Sequence, residues 1–191
     1  MATTGVPPRR MRADARRNYE RLLAEADAVF REHGTEASLE EIARRAGVAI
    51  GTLYAHFPTR HALLESLMRD RNDAVVAQGE ELLGSESAGA ALEAWARIAA
   101  AHTAAYRGLA ASLISCFDDP ASPLYGACHL MTEMGERLVE RAREAGGIRP
   151  DANASDLFAL ISAAAWLREQ VSEEQAERLL SIMLDGLQPT R

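Results

Sequence analysis

Residues 38–57, SLEEIARRAGVAIGTLYAHF, restrict the fold more than any other stretch, because they set a glycine corner between two short amphipathic segments. Ser38 is a good helix N-cap, and Glu41 three residues on is placed to close a capping box. Leu39, Ile42 and Ala43 share one helical face, with Glu40, Arg44 and Arg45 left for water. Gly47 falls where the chain must turn sharply, a position that needs a left-handed backbone. Val48 fills the corner. A second helix is expected from about residue 49, carrying Leu53 inward and Thr52, Tyr54 and His56 on other faces. Two helices across such a turn make a helix-turn-helix, whose second helix can enter the DNA major groove.

The rest of the chain repeats the helical period. A helix over residues 14–33 places Tyr19, Leu22, Leu23, Ala26 and Phe30 together and ends at Gly34. A long helix over 59–83 has Leu63, Leu64, Leu67 and Met68 inside and is the covalent link to everything that follows. Further helices are expected over 87–106 and 108–117, then a break at Asp118-Asp119-Pro120. Ser122-Pro123 supplies a cap and a first-turn proline for a helix reaching Gly146-Gly147. Two more run over 153–170 and from Ser172, where Gln175 offers a second capping box. Aromatic content is low and Gly and Pro fall mainly between periodic segments, so the fold class is all-α, with about nine helices. The expected organisation is a flexible basic arm over 1–13, a three-helix DNA-binding domain over 14–60, and a helical effector-binding and dimerisation domain over 61–191.

The net charge of −7 is unusual for a DNA binder, but its distribution is polarised. Residues 1–60 carry ten Arg and eight acidic residues, whereas residues 61–191 carry eleven and twenty. The basic end is the one expected to face phosphate. Arg9, Arg10 and Arg12 would add minor-groove or backbone contacts. Two cysteines are too few for a disulfide scaffold, and no apolar run is long enough to span a bilayer. A cytoplasmic protein without membrane attachment is the expectation.

The run over 38–57, continued by Pro58-Thr59-Arg60 and Ala62-Leu63-Leu64, resembles the DNA-binding segment of the tetracycline-repressor (TetR) family of transcriptional regulators. Its specific part is Gly-Thr-Leu-Tyr-x-His-Phe at Gly51–Phe57, and the likeness extends back over 19–34. The resemblance implies a repressor that binds a palindromic double-stranded operator as a homodimer and is released by a small molecule. It also implies a DNA-contacting set of Ser38, Ala49, Ile50, Gly51, Thr52, Tyr54, His56 and Arg60. Hydroxyl and imidazole groups suit phosphate, and Arg60 suits the flanking backbone. Many members of the family carry polar or basic residues where this chain has Ala49, Ile50 and Ala55, so direct base readout is expected to be thin.

Trp95, Ala99, His102 and Tyr106 lie on one helical face, and Cys116, Phe117, Met131, Met134, Phe158 and Trp166 are candidates for the same interior. An apolar cavity with few polar groups is the usual makeup of a ligand pocket, and a hydrophobic effector is expected. The alternative is an ordinary core. The last two helices are apolar on more than one side, and Leu157, Ile161, Ala165, Leu179, Ile182 and Met183 are expected at a two-fold, four-helix interface between copies. Rival readings are a metal or redox sensor using His102, Cys116, Cys128 and His129, and a helical adaptor that does not bind DNA. Adjacent Cys128 and His129 have poor spacing for one metal on a helix. No phosphate loop or nucleophile elbow points to an enzyme, and no cofactor is implied.

Overall fold

The computed structural model describes residues 8–116 and 119–189, with side-chain placement lacking at 8–12 and 115–116. The described residues form α-helices and no strand: α1 (Pro8–His33), α2 (Leu39–Arg45), α3 (Ile50–His56), α4 (Arg60–Leu83), α5 (Ala88–Thr103), α6 (Leu109–Cys116), α7 (Tyr125–Glu144), α8 (Ala154–Gln170) and α9 (Glu173–Asp185). The all-α expectation therefore holds. Helix α1 starts earlier than the periodicity implied: residues 8–13, expected in a flexible arm, already belong to it, and residues 1–7 lie outside the described set.

Capping chemistry sets most of the starts. The Ser38, Thr59, Ser87 and Ser172 hydroxyls accept from the backbone N–H three residues on, and Asn153 with Asp156 forms a reciprocal capping box. The box expected at Ser38 is only half made, because the Glu41 carboxylate is turned to Arg44 and Arg45. Ser122 does not cap α7. The helix opens at Tyr125, while the Ser122 hydroxyl accepts from Leu124 N–H and meets His61 Nδ1 at 3.2 Å.

Helices α1 to α3 form a head around Leu22, Ala26, Phe30, Ile42, Leu53 and Phe57, all essentially buried. Each of the Leu, Ile and Phe side chains contributes roughly 1.5–3 kcal/mol by leaving water. This core does not end at residue 60. It takes in Leu63, Leu64 and Met68 of α4, and also Tyr106, Leu109 and Leu124 from beyond α5. The second core, around Trp95, Leu92, Met134, Leu138, Leu157, Ile161 and Leu180, binds α4, α5, α7, α8 and α9 into the body. Helix α4, about 36 Å long at 1.5 Å per residue, lends one end to each core.

Candidate nucleic-acid interface and interior cavity

The head is shaped at Gly47, whose φ of 67° only glycine adopts without penalty. The Arg21 guanidinium donates to the carbonyl of the preceding Ala46 and holds the corner from the α1 side. Leu53 is fully buried beneath α3, and Phe57 closes its end against the Tyr19 ring, 5.1 Å away. Tyr19 also meets His56 edge-on at 6.0 Å. That arrangement turns Tyr54 outward, 45% exposed, beside exposed Ala49, Gly51 and Ala55 and half-buried Ile50 and Thr52. His56 is half-buried on the same helix, and Ser38 is exposed at the start of α2. Arg44 and Arg45 flank this face, held by Glu41 at 2.6 and 2.8 Å, and Arg45 also by Glu32 at 2.9 Å.

Arg60 departs from its expected place at the flanking phosphate. It is half-buried and donates through Nη1 to the carbonyls of Thr35 and Ala37, so it braces the α1–α2 corner. Opposite it, residues 104–108 clasp the same corner. Thr35 N–H donates to the Arg107 carbonyl (2.9 Å), Arg107 donates to the His33 carbonyl (3.0 Å), and Tyr106 O–H donates to Asp27 (2.6 Å). The Arg31 guanidinium, which holds the Asp27 carboxyl below the ordinary carboxylate range, lies 5.7 Å over the Tyr106 ring. Burial first, then this carboxylate, pushes the Tyr106 phenol up to about 12. At the far end of the clasp, Gly108 N–H donates to Glu169 of α8 at 2.9 Å.

Just behind the clasp, the body encloses a cavity of about 60 Å3 between α4, α5, α6, α7 and α8. Its walls include Met68, Ala99, Leu109, Leu113, Leu124, Met131, Phe158 and Ile161, with Asn72, His102, Thr103, Thr132 and Ser162 as polar groups. Of the residues expected here, Ala99, His102, Met131 and Phe158 line it. Trp95 is fully buried in the body core, edge-on to Phe158, and Met134 lies against Gly79. Tyr106 faces the head. Trp166 is 56% exposed on the outside of α8, and Cys116 and Phe117 lie outside the described side chains. Asn72 was missed, although a polar residue at the buried face between Met68 and Val75 of α4 was the signal for it.

The expected interface residues also divide. Leu157, Ile161 and Ala165 are buried in their own protomer's core and are not available to a second copy. Leu179 and Met183 are half-buried, whereas Ile182 is 60% exposed. The outward apolar face of α8 and α9 is therefore Leu160, Ala163, Trp166 and Leu167 with Leu179 and Ile182. His129 points to solvent, stacked on Tyr125 and 3.3 Å from Glu133, while Cys128 is buried at the cavity. Among the described residues no cluster of His, Cys, Asp or Glu could hold a metal ion, and no helix is long and apolar enough to cross a membrane.

Residues 22–67 match the family model of bacterial regulatory proteins of the tetR family, and residues 87–189 match that of the SbtR-like transcriptional regulator C-terminal domain. The TetR transcriptional regulator SCO0520 from Streptomyces coelicolor is 37% identical over 91% of this chain and 99% of its own, with a TM-score of 0.59. A TetR regulatory protein from Mycobacterium vanbaalenii is 32% identical over 93% and 99%, with a TM-score of 0.52. The transcriptional repressor KstR2 of Rhodococcus jostii is 26% identical over 87% of this chain and 89% of its own.

Proposed function

Since the chain belongs to the TetR family and is a DNA-binding transcriptional regulator, we propose that it is a dimeric repressor released from a near-palindromic operator by a small molecule. The observation that supports this reading best is the face of α3: Leu53 and Phe57 anchor the helix from beneath, leaving Tyr54 outward with Thr52 and His56 at its flanks. Hydroxyl and imidazole donors in that position suit phosphate oxygens, while Ala49, Ile50 and Ala55 offer at most contact with thymine methyls. Sequence preference then leans on DNA shape and on the arginines at the start of α1. Two copies joined through the outward faces of α8 and α9 set two heads about one helical turn (~34 Å) apart.

Release follows from the position of the cavity. His102 and Thr103 line it immediately before the clasp and Leu109 immediately after, and the clasp grips Thr35 and Asp27 of the head. A ligand that fits only when these walls are displaced shifts the population toward a head spacing that no longer matches two successive grooves.

Replacing Tyr54 by Phe removes one hydroxyl and leaves the fold intact. The expected loss in operator affinity of the dimer is roughly thirty-fold, the worth of two hydrogen bonds of ~1 kcal/mol, one from each head. Fluorescence anisotropy against DNA flanking the gene, repeated across salt concentrations, measures it. Unchanged affinity, or binding that ignores salt, would overturn the assignment of this face.

A further inference from the structure

We propose that the interior cavity takes a compact, uncharged and largely apolar molecule bearing a hydroxyl group, of phenol or small cyclic-alcohol chemistry, gripped by His102 and Asn72. This rests on the ligand-released reading above and deepens it by naming the ligand class. Four observations converge. The walls are apolar, with Met68, Ala99, Leu113, Leu124, Met131 and Phe158 prominent among them. No Asp, Glu or Arg is among the described lining residues, so an ion entering would lose its water shell with no countercharge in return.

Three polar side chains line the space while being nine-tenths or more buried, His102 at 5% exposure, Thr103 at 6% and Asn72 at 9%. The side chains of His102 and Asn72 have no hydrogen-bond partner on another described residue, and their polar atoms are not among those sealed from solvent, so they stay open to a hydroxyl that enters the cavity. The imidazole is neutral at physiological pH, because burial, then the charge of exposed Arg71, pushes it down to about 4. It therefore presents one donor and one acceptor, and the Asn72 amide presents both kinds as well. A hydroxyl, which donates and accepts, complements that pair; a bare hydrocarbon does not. Thr132 is committed to the Cys128 carbonyl at 2.9 Å and adds only acceptor capacity.

Size supplies the last constraint. A cavity of about 60 Å3 holds a handful of water molecules, at roughly 10–15 Å3 each, and so a single ring rather than an extended chain. Ile114, 54% exposed on α6, marks the mouth.

Calorimetric titration of the full-length protein with phenol, cyclohexanol, toluene, benzoate and 1-decanol tests the assignment. Phenol and cyclohexanol are expected to bind, with toluene, benzoate and 1-decanol each at least about tenfold weaker, toluene for its missing hydrogen bonds, benzoate for its charge and 1-decanol for its length. In His102→Leu, and independently in Asn72→Leu, the preference for phenol over toluene should shrink or invert. A variant that merely unfolds loses both ligands, so the inversion is a readout a structural role does not produce; His102→Gln, which keeps a donor and an acceptor, should restore phenol binding. Failure of phenol and cyclohexanol to bind, tighter binding of benzoate or 1-decanol, or an unchanged preference in both Leu variants overturns the ligand class. Operator release by phenol is read separately by anisotropy. Binding without release keeps the ligand class and overturns the release reading.

Discussion

The neutral state of the His102 imidazole has a consequence for stability. Its folded pKa of about 4 lies below the 6.5 of an unhindered histidine, so between those values unfolding takes up a proton. Stability is complete above about pH 6.5 and falls as pH drops toward 4, by about 3 kcal/mol in all. Urea unfolding of the wild type at pH 7.5 and 4.5 should show most of that loss, about 2.5 kcal/mol, and His102→Leu should lack it. Equal losses in both proteins would mean that the imidazole is not buried as described. A helical period carried over residues 87–106 put His102 on one face with Trp95 and Tyr106, but α5 ends at Thr103 and Tyr106 falls beyond it. That period did not tell that these three side chains end in three different surroundings: body core, cavity and head.

Among the elements, the clasp over residues 104–108 deserves comparison with the helix-turn-helix corner. Both use glycine at positive φ, yet for different purposes. At Gly47 the glycine turns the chain, whereas Gly34 (φ 82°) lets the head approach the clasp, since an added Cβ would lie 2.8 Å from the Arg107 carbonyl oxygen. Gly34→Ala is therefore expected to cost about 2 kcal/mol or more, strain from the left-handed conformation adding to a clash with backbone that cannot swing away. Thermal or urea unfolding checks the magnitude. A variant as stable as the wild type would show that the head and the clasp are not held together as described. Sequence marked Gly34 only as the end of α1. The pairing of Thr35 with Arg107 joins positions 72 residues apart and leaves no local periodic trace.

At the scale of the whole molecule, the polarised charge and the outward face of α8 and α9 address the same requirement, two heads presented to one duplex. Replacing Trp166 and Ile182 together by Glu places charge on that face without touching either core, since both side chains are more than half exposed. Sedimentation should then show monomers with retained helicity. Operator affinity should fall by roughly 10²–10⁴-fold, because the second head no longer binds at high effective concentration. A double variant that remains dimeric would move the interface elsewhere.

Most helix starts, the glycine corner and the inward faces of the head helices were decided by the amino-acid order alone, because capping, left-handed turns and a 3.6-residue period act over a few neighbours. Helices α1 and α7 start elsewhere than the order implied. That order also marked α8 as apolar on two sides, but not which side its own protomer covers. Leu157, Ile161 and Ala165 turned out to face the interior and Trp166 the outside. Arg60 could equally have reached phosphate, and only the packed α1–α2 corner presents it with two carbonyl oxygens. Asn72 and His102 became neighbours of one cavity because α4 and α5 pack side by side. Periodicity states which residues share a face; what lies opposite that face depends on contacts between segments far apart in the chain, and only tertiary packing selects them.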